Sequence, residues 1–362
     1  AERIIRAHPK YVTIVAPLTT WSFTFLAGTG HIVYPLLPVI YETAHQNGIR
    51  PERPMAVATI ASQQAITASP VAAATAAMIG LFAEKGMAQW GLPQILMVCV
   101  PATLTGVVAA AIVSMFIGKD LKDDPEYQAR LKAGAIPAPV AAADRPPLKP
   151  AAKLSAFVFL AGVALVVLFG FFPELRRLPG AKDSLAMPTV IEIVMMSVAA
   201  VMLLLTRINV DEVPKTQTLR AGVVAVIGIF GLAWLGDSFI SAHKDVIVPA
   251  IGEWAKAAPW TFAFGLFFAS VLLYSQAATT RALMPLGIAL GIPPQFLIAM
   301  FPSVNGYFFI PTYGSLIAAI NFDLSGTTKI GKYVLNHSFM IPGIVATAVA
   351  VITGLFLARI MF

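Results

Sequence analysis

Two stretches of this sequence hold hydroxyl and amide side chains among helix-breaking residues, within segments almost free of charge. The first passes through Gly28-Thr29-Gly30-His31 and continues to Ser62-Gln63-Gln64, Thr67, Ser69-Pro70 and Thr75. The second holds Ser275-Gln276, Thr279, Arg281, Asn305 and Pro311-Thr312-Tyr313-Gly314-Ser315. Ser69-Pro70 has the order of an N-cap followed by proline in the first helical turn, as if a helix reopened after a break. Such a helix start presents free N–H groups and partial positive charge, which suit a carboxylate. Thr29, His31, Thr67, Ser69, Ser275, Gln276, Thr279, Arg281, Thr312 and Ser315 are therefore the candidate binding residues for a small anion. The plainer alternative is a pair of kinked helices whose neighbours satisfy the breaks. Gln63, Gln64 and Asn305 either bond a solute or hold helices together.

Charge inside these segments is scarce enough to be informative. Residues 257–322 carry one formal charge, Arg281. A charge at the centre of a membrane span costs at least ~2.5 kcal/mol on insertion scales, so an ionisable residue there is a functional candidate. Arg281 would pair with a carboxylate through its planar fork; alternatively it snorkels to the interface or pairs with Asp237 or Glu192. Asp237, after Trp234-Leu235-Gly236, is the candidate for coupling a proton or sodium ion, or else caps a helix end. His31 suits a solute pathway better than His8, His45 or His243, which read as loop residues. Enzymatic signatures are lacking: there is no zinc spacing, no Gly-Xaa-Ser-Xaa-Gly elbow and no phosphate-binding Gly-Lys-Ser/Thr loop. No cofactor and no metal ion are implied.

These residues must be held by a membrane fold. Apolar residues make up 58% of the 362-residue chain and charged residues 12%, against about 25% charged in soluble domains. Mean hydropathy is +0.79. The net charge of +7 is spread between apolar segments, the pattern of membrane loops and not of a nucleic-acid face. The single cysteine, Cys99, lies in an apolar segment and gives no disulfide framework. Apolar segments fall at roughly 11–41, 55–83, 92–117, 154–172, 187–206, 219–241, 260–291, 295–322 and 337–361, several near the ~20 residues that cross a bilayer. Irregular backbone in hydrocarbon survives only where protein covers it or it lines a polar cavity, so the broken segments mark a solute pathway.

The longest polar stretch, 118–153, contains seven Lys/Arg and a Pro/Ala-rich centre, and reads as a flexible linker. The chain thus divides into a first transmembrane half (1–117), a linker (118–153) and a second transmembrane half (154–362). Positive-inside bias puts the linker in the cytoplasm. The N-terminal stretch is also basic, yet three apolar segments separate the two. Either one of these segments is re-entrant or the N-terminal stretch misleads. An internal repeat is also visible: Ser62 and Pro70 are eight residues apart, as are Ser303 and Pro311, each pair preceded by a Gly/Pro-broken run and followed by small residues. Broken segments at matching positions of two halves point to a transporter site.

At these residues the chain resembles the anaerobic C4-dicarboxylate transporters, the DcuA/DcuB family. The likeness is carried by residues 9–17 (PKYVTIVAP), Gly28-Thr29-Gly30-His31, Arg50-Pro51-Glu52-Arg53-Pro54, Ser275-Gln276-Ala277-Ala278, Pro311-Thr312-Tyr313, Ser325-Gly326-Thr327-Thr328 and Asn336-His337-Ser338-Phe339. Residues 234–239 (WLGDSF), 272–276 (LLYSQ) and 282–285 (ALMP) are more similar to the DcuA branch. The resemblance implies an all-α polytopic membrane protein with two inverted repeats and broken or re-entrant helices, an elevator-type secondary transporter included. It implies an inner-membrane carrier of fumarate, succinate, malate and aspartate, working by exchange or cation-coupled uptake, with membrane lipid as surroundings, no nucleic-acid partner and room for a homo-oligomer. It further implies apolar segments ahead of Ala1. Gly314 departs from the family pattern, where a proline is expected, and Arg281 stands where relatives carry lysine or an apolar residue. The competing readings are a cation exchanger or channel using Asp237 and Arg281 as a charge pair, and a membrane sensor built around 118–153.

Overall fold

The computed structural model describes residues 2–136, 150–178, 184–185, 187–206, 209–215 and 258–362, together with residues 219, 238 and 242 singly. Asp237, the expected ion-coupling residue, lies outside the described residues. Among those described, the chain is helical and has no strand, only the isolated bridges Arg177–Ser184 and Ile330–His337. The helices are α1 (Glu2–Ala7), α2 (Val12–Ala27), α3 (Leu37–Gln46), α4 (Glu52–Gln64), α5 (Ala73–Glu84), α6 (Leu92–Ser114), α7 (Pro125–Lys132), α8 (Pro150–Phe171), α9 (Met187–Thr206), α10 (Phe262–Leu273), α11 (Gln276–Ala289), α12 (Pro294–Met300), α13 (Gly314–Phe322) and α14 (Met340–Met361). Five stretches are long and apolar enough to cross a membrane: Glu52–Glu84, Leu92–Ser114, Pro150–Phe169, Thr189–Thr206 and Met340–Met361. The protein is an all-α polytopic membrane protein.

Helices α2 and α3 form a hairpin that goes in and comes back. At 1.5 Å per residue α2 is about 24 Å long, short of the ≈ 30 Å hydrocarbon core. Its open end is tied by the Arg6–Glu42 ion pair at 2.6 Å, and Ile5, Val12 and Ala16 share one apolar cluster with Leu37, Ile40 and Ala44. At the tip, Gly28 takes φ +69° to end α2, and a Cβ there would lie 2.9 Å from the Val71 side chain and 3.0 Å from its carbonyl. Only glycine meets both demands. The first apolar segment therefore turns back on itself as a hairpin within the bundle.

Helices α10 and α11 make a second hairpin. Gly287 on α11 lies under the Phe262 ring at the start of α10, so the two arms run antiparallel. The base of this hairpin (Phe262, Leu266, Leu286, Leu290) shares an apolar cluster with Phe82 at the end of α5 and Leu92 at the start of α6. Hairpin one instead opens toward the other end of α6, where Ala110 and Ala111 join its cluster. The two hairpins enter from opposite ends of the bundle.

After each hairpin comes a broken segment of shared design. Helix α4 passes into a 3-10 turn at Ala65–Ala68, and α12 into one at Phe301–Phe308, where Asn305 leaves helical geometry (φ −101°, ψ 20°). Close to each break a buried serine donates back to the carbonyl three residues earlier, Ser62 to Thr59 at 2.7 Å and Ser303, just inside the second turn, to Met300 at 2.5 Å. In both, the next helix begins three residues after the proline. The residue before it is extended: Ala72 (φ −76°, ψ 143°) before α5, and Tyr313 (φ −70°, ψ 140°) before α13. This corrects the expectation that Ser69 caps a helix with Pro70 in its first turn. Pro70 sits in a turn closed by the Ala72 N–H on the Ser69 carbonyl at 3.5 Å, and the Ser69 hydroxyl accepts from Val71 N at 3.4 Å.

Close packing around the breaks depends on α14, whose buried face is the small-residue series Gly343, Ala346, Ala350, Gly354 and Ala358. Gly106 of α6 backs onto the Ala346 carbonyl, Gly354 onto Ala299 of α12, and Gly343 onto the Phe308 ring. Without a hydrophobic drive between helices in lipid, such small faces are what let backbones approach. Helices α8 and α9 pack together through Gly162 and Val198 and leave Phe157, Leu168, Met196 and Leu204 exposed, as lipid-facing helices do.

Residues 118–153 are less uniform than their composition suggests. Residues 121–123 and α7 are helical, and α8 already begins at Pro150. Asp124 caps α7 by accepting from the Glu126 and Tyr127 amides at 3.0 and 3.2 Å. A fully flexible linker is therefore not what 118–136 forms. Composition registers its polarity but not the partners that hold it.

Candidate functional site

The two hairpin tips and the two breaks meet at one buried place. From hairpin one, Gly30 packs against the Ser62 carbonyl, and Thr29 caps the turn at 30–33 by accepting from His31 N at 3.3 Å. His31 stacks on Tyr34, whose hydroxyl lies against Gly314 at the start of α13. From hairpin two, Ser275 is a true side-chain N-cap: its hydroxyl accepts from Ala278 N at 3.2 Å and opens α11. Tyr274 before it is held in the left-handed region at φ 50°, sparsely populated for a non-glycine residue, and its hydroxyl shares a 2.6 Å hydrogen bond with Thr312.

Gln276 is the hub. Its Nε2 donates to the Gln63 carbonyl at 2.9 Å, to the Tyr307 hydroxyl at 2.9 Å and to Asn305 Oδ1. Asn305 Nδ2 is taken by the Pro302 carbonyl at 2.9 Å, which leaves Oδ1 as the atom facing Gln276. Gln63 Nε2 in turn donates to Ser315 Oγ at 3.1 Å, joining α4 to α13. The hub thus links both breaks to hairpin two. All five residues are at least 95% buried. Nevertheless Gln63 Oε1 and Gln276 Oε1 have no hydrogen-bond partner. An unmet buried acceptor costs about 1–3 kcal/mol, so two in one cluster need an explanation.

The structure brings together Thr29, His31, Ser275, Gln276, Thr312 and Ser315 around the tips and breaks. Thr67, Ser69 and Thr279 are buried nearby, but their hydroxyls are engaged locally: Thr67 donates to the Gln64 carbonyl at 3.0 Å and Thr279 to the Ser275 carbonyl at 2.8 Å. Arg281 is placed differently from a buried ligand. It is exposed on α11, and among the described residues no acidic side chain pairs with it.

A second polar cluster, at the bundle end where hairpin one opens, was not legible as a unit. Arg50 bonds Glu52 at 2.6 Å and Asp124 at 2.5 Å. Glu52 also accepts from the Ser338 hydroxyl at 2.6 Å, and its amide donates to Thr327 Oγ1 at 3.1 Å. Asp323, 4% exposed, accepts from the Ser325 amide and hydroxyl, Thr327 Oγ1 and Thr328 N. Helix α7 docks on this collar through Glu126–Lys329 at 2.8 Å and Arg130 to the Ser325 carbonyl at 3.1 Å. Burial alone would push the Asp124 carboxyl up, but the Tyr127 and Glu126 amides and the Arg50 guanidinium outweigh it and hold it below the usual carboxylate range.

Comparison with known proteins follows from this geometry. The family model DcuA_DcuB, "Anaerobic c4-dicarboxylate membrane transporter", matches residues 1–362. The "C4-dicarboxylate transporter DcuA" of Escherichia coli K12 is 40% identical over 361 residues, covering 99% of this chain and 82% of the relative. The DcuA of Wolinella succinogenes is 39% identical over 363 residues, covering 100% and 82%. The "Anaerobic C4-dicarboxylate transporter DcuB" of Escherichia coli O6:H1 is 38% identical over 360 residues, covering 98% and 80%. No solved structure matches the chain.

Proposed function

The chain belongs to the DcuA/DcuB family of anaerobic C4-dicarboxylate membrane transporters, a family of carriers and not of enzymes, and we propose that it moves fumarate, succinate, malate and aspartate by exchange or cation-coupled uptake. The observation that carries this reading is the convergence of two hairpin tips and two helix breaks on one buried polar hub. Hairpins entering from opposite ends, each followed by a break of the same design, support two inverted repeats and alternating access. On this reading a dicarboxylate spans the tips: one carboxylate meets the capped start of α11 at Ser275, Gln276 and Thr279, the other Thr29, His31, Thr67 and Ser69, with Thr312 and Ser315 between. Arg281, exposed on α11, then serves as a charge on the approach to the site.

The same reading keeps 1–117 and 154–362 as the two transmembrane halves. It puts the carrier in the bacterial inner membrane with 118–153 and the collar on the cytoplasmic side, where Lys and Arg concentrate. Counterflow tests the function: liposomes loaded with succinate and bearing the full-length protein should accumulate external labelled fumarate or aspartate. A rate no faster than in protein-free liposomes overturns it. Impermeant labelling of a single cysteine at Ala142 from outside intact cells should fail, and efficient labelling overturns the orientation.

A further inference from the structure

We propose that Tyr34 sets the selectivity of this carrier among C4-dicarboxylates, its hydroxyl accepting a hydrogen bond from a hydroxyl or ammonium group on the solute's second carbon. This rests on the carrier reading above. Both hairpin tips reach the start of α13 with a tyrosine hydroxyl, but the two hydroxyls end differently. That of Tyr274, from hairpin two, shares a 2.6 Å hydrogen bond with Thr312. That of Tyr34, from hairpin one, comes to Gly314, and among the described residues nothing hydrogen-bonds it. Its ring is fixed in place: it stacks on His31 with centroids 5.7 Å apart and planes 23° from parallel, and the Tyr34 amide donates to the His31 carbonyl at 3.2 Å. Gly314 leaves the space that the hydroxyl borders. A Cβ there would lie 2.7 Å from the Tyr34 oxygen and, among the described residues, within 4 Å of nothing else beyond its own helix and chain neighbours. Thr312 and Gly314 are both exposed. A hydroxyl fixed at such an opening without a protein partner is costly unless water or solute meets it.

On the carrier reading the two carboxylates are held by the two tips, with Thr312 and Ser315 between them. The Tyr34 hydroxyl, at Gly314, therefore borders the two carbons that join the carboxylates. Succinate and fumarate carry only hydrogen there, malate a hydroxyl and aspartate an ammonium group. A phenol oxygen accepts from either. Both groups give up water on entering the site and need a partner in its place, whereas the unsubstituted solutes give up nothing at that point. A hydrogen bond to the substituent therefore separates the two classes of solute.

The test is competition by unlabelled malate, aspartate, fumarate and succinate against labelled succinate bound to the full-length protein in liposomes. In Tyr34→Phe, malate should compete about two- to tenfold more weakly and aspartate more than about tenfold, the worth of a neutral and of a charged hydrogen bond. Succinate and fumarate should stay within about twofold of wild type. Gly314→Ala keeps the hydroxyl but displaces it, so it should shift selectivity in the same direction; it carries the test where Tyr34→Phe fails to fold. Added to Tyr34→Phe, Gly314→Ala should change nothing further, because the atom its Cβ would meet is gone. Unaltered selectivity in folded Tyr34→Phe overturns the proposal, as does a further shift in the double variant. An equal loss for all four solutes puts the hydroxyl on a carboxylate and overturns it too. Succinate bound and exchanged by these variants leaves the carrier reading standing, whereas wild-type protein that binds none of the four solutes removes that reading itself.

Discussion

The buried hub and the charged collar both join the first part of the chain to the last, but with opposite chemistry. At the hub, Gln63, Gln276, Asn305, Tyr307 and Ser315 meet without a formal charge and leave two acceptors unmet. At the collar, Arg50, Glu52, Asp124 and Asp323 are charged and satisfied, Asp323 by four donors. Unpaired charge is expensive inside hydrocarbon and cheap near water, so charge is used where partners are plentiful. At the hub it is amide oxygens that stay unmet, whereas at the collar the carboxylates and the guanidinium all have partners and only the Thr328 hydroxyl lacks one.

Removing a satisfied charge from the collar should have the largest effect. Asp323→Ala strips four donors of their acceptor, two of them backbone amides, and loses hydrogen bonds of the charged kind. A loss of about 3–5 kcal/mol, the range for breaking buried charged groups, is expected as a lower unfolding temperature in detergent and a poorer yield of folded protein. Asp323→Asn should recover part of it. A wild-type melting temperature in Asp323→Ala would erase the contrast drawn above.

At the hub the balance should reverse, with transport suffering more than stability. Gln276→Ala removes the donor that ties the Gln63 carbonyl, Asn305 and Tyr307, at a cost of about 1–3 kcal/mol. Counterflow by the folded variant should fall by about 10–100-fold, the scale of a misplaced binding geometry. Counterflow within twofold of wild type would make the hub a mere helix tie.

Local patterns in the sequence were readable and long-range pairings were not. The broken segments showed through Gly and Pro, and the eight-residue Ser-to-Pro spacing marked positions that share a 3-10 turn and an extended residue before the next helix. The hub depends on Gln276 reaching Gln63, 213 residues away, and nothing in either neighbourhood encodes that meeting. Tyr307 escaped notice because an aromatic in an apolar run reads as core. Ser69-Pro70 has a cap's composition, but the turn at Pro70 postpones the helix to Ala73. Arg281 looked buried because its run is apolar, yet composition does not say which face of α11 it occupies. In 118–136, polar residues signalled solvent while half of them were paying for docking contacts.

Smaller effects should follow at the rims of the site. Ser69→Ala and Thr312→Ala each remove a hydroxyl without stranding a charge. The apparent Km for succinate should rise by a few fold, the worth of one neutral hydrogen bond, with melting temperature unchanged. The exposed Thr312 also sets the contact that holds Tyr274 in its left-handed conformation, so its variant tests the hairpin-two tip. Unaltered Km in both variants would move the binding site away from the breaks.

The smallest expected effect on the protein as a whole concerns helix α7, and it separates collar from hub by pH. Asp124 is held below the usual carboxylate range, so its contribution to docking is fully present above about pH 4, where the free carboxyl is already ionised. That contribution is lost only as pH falls through the lower value in the folded protein. Glu126, drawn down by its bond to Lys329, behaves with the same sign, though an exposed pair adds little. Amide hydrogen exchange of residues 126–132, corrected for intrinsic rates, should therefore stay constant from pH 7 to 5 and quicken below about 4. Asp124→Asn should exchange faster already at neutral pH, while the hub amide of Gly306, which donates to Ser270 at 2.7 Å, keeps its protection. Opening of α7 between pH 7 and 5 would instead assign the pH dependence of its docking to His45, whose Nε2 lies 2.7 Å from the Tyr127 hydroxyl.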